Sequence, residues 1–304
     1  MNIPHYNEWE ETALTIHLIS QMMGKVKLSR MDPQPEWKHI VLNITPEGFS
    51  TGLIPNGEQS FGIRMLAREG KVVTTRVDGH ISGFAFRNNT SVSEYYNEFN
   101  RMLADVTCET DIYTVPQEMS IVTPFEKITE KSNYNNQHAL DFFAMCVFAH
   151  NAILKFIAPF RGKKTLPSFF WGTFDVTGLL FSGVPAPFPG KGVIERNAFD
   201  EQLIEFGFWP GDPHVSEPSF FILPYPFLTA EPEGRIRPDE AFFNARKAEY
   251  FLSLRDAFSA PDPEQTVCDF LMSGFDLVSR AEKWPNLEWY RKPLGTGKGS
   301  AALH

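Results

Sequence analysis

An α+β fold is expected for this chain, with antiparallel sheet hairpins and about six helices set out as two fused halves that derive from an internal duplication. Three observations lead there. Two long stretches of helical spacing, near 8–28 and 138–156, each run into stretches of alternating period. Asn56-Gly57 and Asp78-Gly79 punctuate the first alternating region in the manner of hairpin turns, where both central residues of a type I′ turn need positive φ. Short motifs also recur in order: Gly24-Lys25 and Thr51-Gly52-Leu53 in the first half, Gly162-Lys163 and Thr177-Gly178-Leu179 in the second. The offsets between these pairs are unequal, which excludes a rigid repeat and leaves either a diverged duplication or two α+β halves alike by chance.

Taken in order, Asn7 offers a side-chain oxygen to cap the first helix, and Glu10 and Glu11 suit the positive end of its dipole. Asp32-Pro33-Gln34-Pro35 stops it. Strands are expected at 37–44, 49–54, 61–67, 71–77 and 81–86, then a helix over 94–104 capped by Ser91 or Ser93. The stretch from Cys108 to Asn136 reads as a connection with one strand near 111–115. After the second long helix come strands at 168–174 and 176–181, a proline-rich loop at 184–190, a helix at 198–205 and a strand at 219–223. Pro238 opens a helix to Phe258, and Pro263 a last one to about Lys283. The expected divisions are 1–115, 116–136, 137–290, and a polar tail, 291–304, read as mobile.

Composition narrows the class. Hydrophobic residues are 42% and charged residues 21%, and no unbroken apolar stretch approaches the roughly 18 residues of a membrane span, so no membrane is expected. With a formal charge of −9 the basic footprint of a nucleic-acid binder is lacking. Three cysteines, Cys108, Cys146 and Cys268, are too few and too scattered for a disulfide scaffold, and no secretory signal is legible at the N-terminus; a cytoplasmic location is expected. The 28 phenylalanines mean either a ring-lined pocket or a bulky core, and the core is favoured because rings routinely fill interiors.

The candidate chemistry lies on two segments. His17, Gln21 and Lys25 repeat every four residues on the first helix and form a polar stripe between apolar flanks. An imidazole there can move protons, an amide orient a ligand and an ammonium hold an anion; the bland alternative is a solvated helix face. Trp171 and Asp175 fall on one face if 168–175 is a single strand, and a carboxylate among rings needs a partner or a wet pocket. Cys146 and His150 are four apart on the second helix, but nothing completes a metal ligand set, so no metal is expected, and no cofactor can be named. Gly162-Lys163-Lys164-Thr165 lacks the first glycine of a phosphate loop, and Gly295-Thr296-Gly297-Lys298 fails the same spacing.

The segments 15–28, Phe-Phe-Trp-Gly-Thr-Phe-Asp (169–175), Phe-Ser-Gly (181–183) and Gly-Phe-Trp-Pro-Gly (207–211) together resemble an uncharacterised, mostly bacterial family known only as a domain of unknown function. The resemblance covers nearly the whole chain and implies no known activity. Members typically have His where this chain has Ser168 and Arg where it has Val184, whereas His17, Gln21, Lys25, Trp171 and Asp175 match. If the family works through that His or Arg, this member is altered or inactive.

The expected function is an enzyme acting by acid–base chemistry on a small polar molecule in a cleft between the halves. His17 and Asp175 are its catalytic candidates, and Gln21, Lys25, Trp171 and Trp209 its ligand contacts. The alternative is a non-catalytic small-molecule or protein-interaction module that uses the loop Phe208-Trp209-Pro210-Gly211. The oligomeric state is not legible.

Overall fold

The computed structural model describes residues 1–106 and 111–294. The expected tail beyond 294 and Cys108 lie outside the described residues. A 3-10 turn at Tyr6–Glu8 leads into α1 (Glu10–Arg30), which starts after Trp9, so Asn7 sits in the preceding turn and does not cap it. The middle of α1 is buried almost all the way round, polar residues included, as befits a helix inside the fold and not on its surface.

A second 3-10 turn, Pro35–Trp37, replaces the start of the first expected strand. Glu36 and Trp37 have φ of 52° and 55°, a conformation that cannot enter a β ladder. β1 (Asn43–Thr45), β2 (Gly48–Ser50), β3 (Phe61–Leu66), β4 (Lys71–Arg76) and β5 (Ile81–Ala85) then form an antiparallel meander in strict chain order. The hairpin at Asp78-Gly79 is there, but Gly79 alone has positive φ: Arg76 and His80 close a three-residue loop, and the Asp78 carboxylate accepts from Arg76 and the His80 amide. α2 (Val92–Asp105) begins at Ser91, whose hydroxyl accepts from the Glu94 amide while the Glu94 carboxylate returns to the Ser91 amide. A two-stranded ribbon, β6 (Thr90–Ser91) with β7 (Lys131–Ser132), precedes α3, and 111–115 forms no strand.

Asn135 caps α3 (Asn136–Ile157). This helix is long and apolar enough to cross a membrane, and its buried face packs on the second sheet and on α6 (Pro263–Ala281). That sheet has β8 (Lys164–Phe170), β9 (Asp175–Pro185), β10 (Glu201–Trp209), β11 (Ser219–Tyr225), β12 (Phe242–Asn244) and β13 (Glu249–Ser253), all antiparallel, in the order β12-β13-β11-β10-β9-β8. Two expected helices are thereby corrected. At 198–205 the chain has the end of α4 (Val193–Ala198) and then β10, because Gln202, Ile204, Phe206 and Phe208 face the helices on alternate positions. At 239–258 it has β12, β13 and only the short α5 (Leu254–Ser259), because Tyr250 and Leu252 complete the open side of β11. The single strand expected over 168–174 is corrected too: residues 171–174 are a turn between β8 and β9, so Trp171 and Asp175 do not share a strand face. A final turn of helix, α7 (Leu287–Tyr290), lies against Phe160.

Both halves run helix, meander, helix, but the second leaves chain order at β12 and β13. Leu42 and Phe169 exchange two backbone hydrogen bonds of 2.8 Å, which stitch the β1 end of the first sheet to β8 of the second. Around this seam the rings of Trp9, Phe142, Phe174, Phe49 and Phe169 stack in one body, with centroids 4.4–6.5 Å apart. Each fully buried ring contributes roughly 1.5–3 kcal/mol, so the seam is a main source of stability. Core residues from both halves form one continuous cluster.

Candidate functional site

One face of the second sheet is apolar and covered by α3 and α6: Phe206 meets Phe156, Phe220 meets Phe148, and Ile222 lies against Gly274. The other face carries acids and rings. Pleating places Asp175, Thr177 and Leu179 of β9 there with Glu205 and Trp209 of β10, Phe221 and Leu223 of β11, and Glu249 and Phe251 of β13. Register fixes the rows: Glu205 stands between Leu179 and Leu223, and Phe221 pairs with Phe251. These side chains floor a cavity of about 470 Å³. Its cover comes from Glu36 and Trp37 in the first half, Glu118 in the connection, and Ile194, Glu195, Ala198 and Phe199 on and after α4. One end is closed by a small apolar cluster of Phe181, Leu203 and Tyr225 beneath Phe188 and Phe199.

Backbone strain concentrates here. Of the eight described non-glycine residues with positive φ, Glu36, Trp37 and Glu118 line the cavity, while Phe174 and Ala248 sit between lining residues. Such conformations cost on the order of 1–3 kcal/mol each, and are kept where the surroundings over-determine them.

Among the described residues the carboxyls of Asp175, Glu118, Glu205 and Glu249 make no ion pair, whereas Glu36 is held by Lys163 at 2.6 Å. Burial, and then the neighbouring Glu205 charge, push the Asp175 carboxyl well above the usual range, against a 2.7 Å hydrogen bond donated by the Thr173 hydroxyl. Burial and then the Glu249 charge raise Glu205 to about 7, with Thr177 opposing. Glu249 is raised to about 7 by burial, with Lys247 opposing. Carboxyls raised by burial, Glu205 and Glu249 among them to about 7, and walled by aromatic rings can hold a polar molecule and pass protons to and from it.

Of the expected site residues, Asp175 and Trp209 line this cavity together. Trp171 borders a small void beside it, shared with Trp37 and Glu118, and is 2% exposed. Its ring lies flat on α1 at Gly24, where a Cβ would come within 1.9 Å of the indole nitrogen, and its N–H donates to the Ile40 carbonyl at 2.9 Å. His17, Gln21 and Lys25 are buried and line no part of the cavity; Gln21 and Lys25 bond the segment 115–119, and His17 bonds the turn at Gly172. The His17 Nε2–H donates to the Gly172 carbonyl at 3.0 Å, and the ring stacks on Phe174 with centroids 4.5 Å apart. Burial lowers its pKa to about 4, against those backbone contacts, so it is a neutral donor at pH 7. The Gln21 amide makes a double bond pair with the backbone of Gln117, 2.8 Å each way. The Lys25 ammonium donates to the Val115 carbonyl at 3.0 Å and to Gln117 Oε1 at 3.2 Å among the rings of Tyr113, Trp171 and Phe125, and burial lowers its pKa to about 8.

The stripe thus holds the strap that carries Glu118. The Glu118 carboxylate rests on Gly172, where a Cβ would meet it at 2.0 Å, and Gly172 is also the residue whose carbonyl His17 holds. His17→Ala is accordingly expected to cost about 2–4 kcal/mol in urea unfolding, from a lost ring contact and an orphaned carbonyl. An unchanged melting temperature would return His17 to a purely chemical role.

Glu205, Glu249, Glu118 and Trp37 escaped sequence reasoning. Glu205 and Glu249 lie in segments read as helix; the visible signal was a single carboxylate, Glu205, set between the apolar Ile204 and Phe206. Ser168 bonds Lys38 at 2.7 Å and Val184 is exposed, and neither lines the cavity. Cys146 is buried and its thiol pushed up by burial, while His150 bonds Asn151. Among the described residues no group of three or more His, Cys, Asp or Glu is placed to hold a metal ion.

Residues 2–290 match the sequence pattern of a family of unknown function, DUF5996. The chain belongs to that family. No curated protein and no solved structure matches the chain. The family assignment spans both sheets and the strap, so every segment that lines the cavity falls within it.

Proposed function

We propose that this member of the family is an enzyme that works by acid–base chemistry on a small polar molecule held in the cavity over the second sheet. The single observation behind this reading is the group Asp175, Glu205 and Glu249 on one face of the second sheet, walled by rings, without an ion pair among the described residues, and with all three carboxyls raised by burial. Burial without ionic partners is costly for a carboxylate, and stability alone would favour amides or apolar residues at these places. The wall contributed by Glu36, Trp37 and Glu118 supports a cleft between the halves.

In this reading Asp175, whose carboxyl burial pushes well above the usual range, is the acid, and Glu205, raised to about 7, is the group that takes the proton. Trp209 and Phe221 flank the bound molecule, and Glu118 covers it. His17, Gln21 and Lys25 act at one remove by holding the turn at Gly172 and the strap.

The test is consumption of small polar compounds, followed by mass spectrometry, with wild type, Asp175→Asn and Glu205→Gln in parallel. Loss of a compound by wild type that falls about 100-fold or more in both variants is the expected result. Equal consumption by all three proteins refutes the acid–base assignment. A compound that binds and stays unchanged favours the non-catalytic alternative.

A further inference from the structure

Lys247 lies in the turn between β12 and β13, on an exposed side chain, and borders the cavity. Its ammonium sits 4.9 Å from the ring centroid of Trp209 and 5.5 Å from that of Phe251. Both rings line the cavity, one on β10 and one on β13, with Glu249 two residues further along the Lys247 strand and Glu205 beyond it on the floor. The faces of Trp and Phe carry negative electrostatic potential, so a cation above them is attracted without any hydrogen bond. The chain therefore places an ammonium of its own at the opening of a carboxyl-lined, ring-walled space. Among the described residues Lys247 is the only cationic side chain lining that space, against six carboxyls, so the lining favours a cation over an anion.

Resting on the reading above, we propose that the molecule taken into the cavity is a small organic cation, an amine or quaternary ammonium, whose charged group takes the place of Lys247 over Trp209 and Phe251 and is neutralised by Glu205 and Glu249. The lysine acts as an internal occupant. It keeps the ring pair covered when the site is empty and, being long, exposed and carried on a turn, swings into solvent when a ligand cation arrives. A ligand with one ammonium fits the rings; its remaining atoms extend along the floor toward Asp175, where the cavity's 470 Å³ leaves room for a molecule of metabolite size. Specificity against neutral molecules then comes from the uncompensated carboxyls, which gain a partner only from a cation.

The experiment is calorimetric titration at pH 8 of wild type, Lys247→Met and Trp209→Leu with choline, 1,4-diaminobutane and 3,3-dimethylbutan-1-ol, the neutral counterpart of choline. At least one cation should bind wild type, and the neutral alcohol about tenfold or more weaker than choline if choline is that cation. Lys247→Met, an exposed change that leaves the core untouched, should tighten cation binding by about 3-fold to 10-fold through removal of the competitor, and Trp209→Leu should weaken it about tenfold. Absence of binding by both cations, equal binding of the neutral alcohol, or weaker cation binding in Lys247→Met overturns the proposal. These outcomes separate from those of the acid–base test. A neutral or anionic compound consumed only when Glu205 is intact keeps the enzyme and discards the cation, whereas cation binding without any Glu205-dependent consumption does the reverse.

Discussion

Glu205→Gln is expected to be more stable than wild type at pH 8 by on the order of 2–3 kcal/mol, and no more stable at pH 4. In the fold the Glu205 carboxyl titrates at about 7, raised by burial and by Glu249, whereas in the unfolded chain it loses its proton near 4.5. Below the unfolded value both states hold the proton and the group is neutral in the balance. As pH rises toward 7 the unfolded state alone ionises and stability falls; above 7 the full cost is in place. An amide carries no such cost, and it also lets Asp175 and Glu249 ionise with one fewer negative neighbour. Glu118 adds to the repulsion and Lys247 relieves part of it at Glu249. His17 opposes this trend in wild type, because its pKa of about 4 makes the folded state refuse a proton that the unfolded chain accepts below 6.5. The difference between variant and wild type removes that term. Urea unfolding at pH 4, 6 and 8 reads it directly, and a gap that does not widen between pH 4 and 8 would show that Glu205 is not raised.

The second large effect separates two tryptophans. Trp171→Ala should cost about 3–5 kcal/mol, since the ring is buried on Gly24 and its N–H satisfies Ile40, and truncation leaves a cavity between α1 and the turn after β8. Trp209→Ala, half-buried at the cavity rim, should cost about 1 kcal/mol and act instead on ligand binding. Thermal unfolding of both variants measures the contrast; a Trp171→Ala protein that melts with wild type would place that ring in the ligand's wall.

How much of this was legible follows from the kind of signal each element carries. Period and capping residues are local, so α1, α2, α3, α6 and strands β3 to β5 were readable, with Ser91-x-x-Glu94 the clearest case. β10 and β13 were not, because a short strand buried on one face and acidic on the other has the same composition as an amphipathic helix until its partners are known. Asp175 stood out as a carboxylate among rings and Trp209 as part of an aromatic loop, and both line the cavity. The stripe His17, Gln21 and Lys25 gave the same signal for another reason: an interior helix must satisfy the backbone of the strap laid across it, and a sequence does not show whether a buried amide faces a ligand or a main chain.

The exchange between Leu42 and Phe169 bears on how the chain is made. During synthesis the first meander emerges complete except for its β1 edge, whose partner lies far downstream, after the whole of α3. That edge offers unpaired amides and carbonyls to any neighbouring chain until β8 arrives, so nascent or truncated forms that stop before Phe169 are the ones prone to aggregate. Once the pairing closes, ring packing and ladder meet along the same seam.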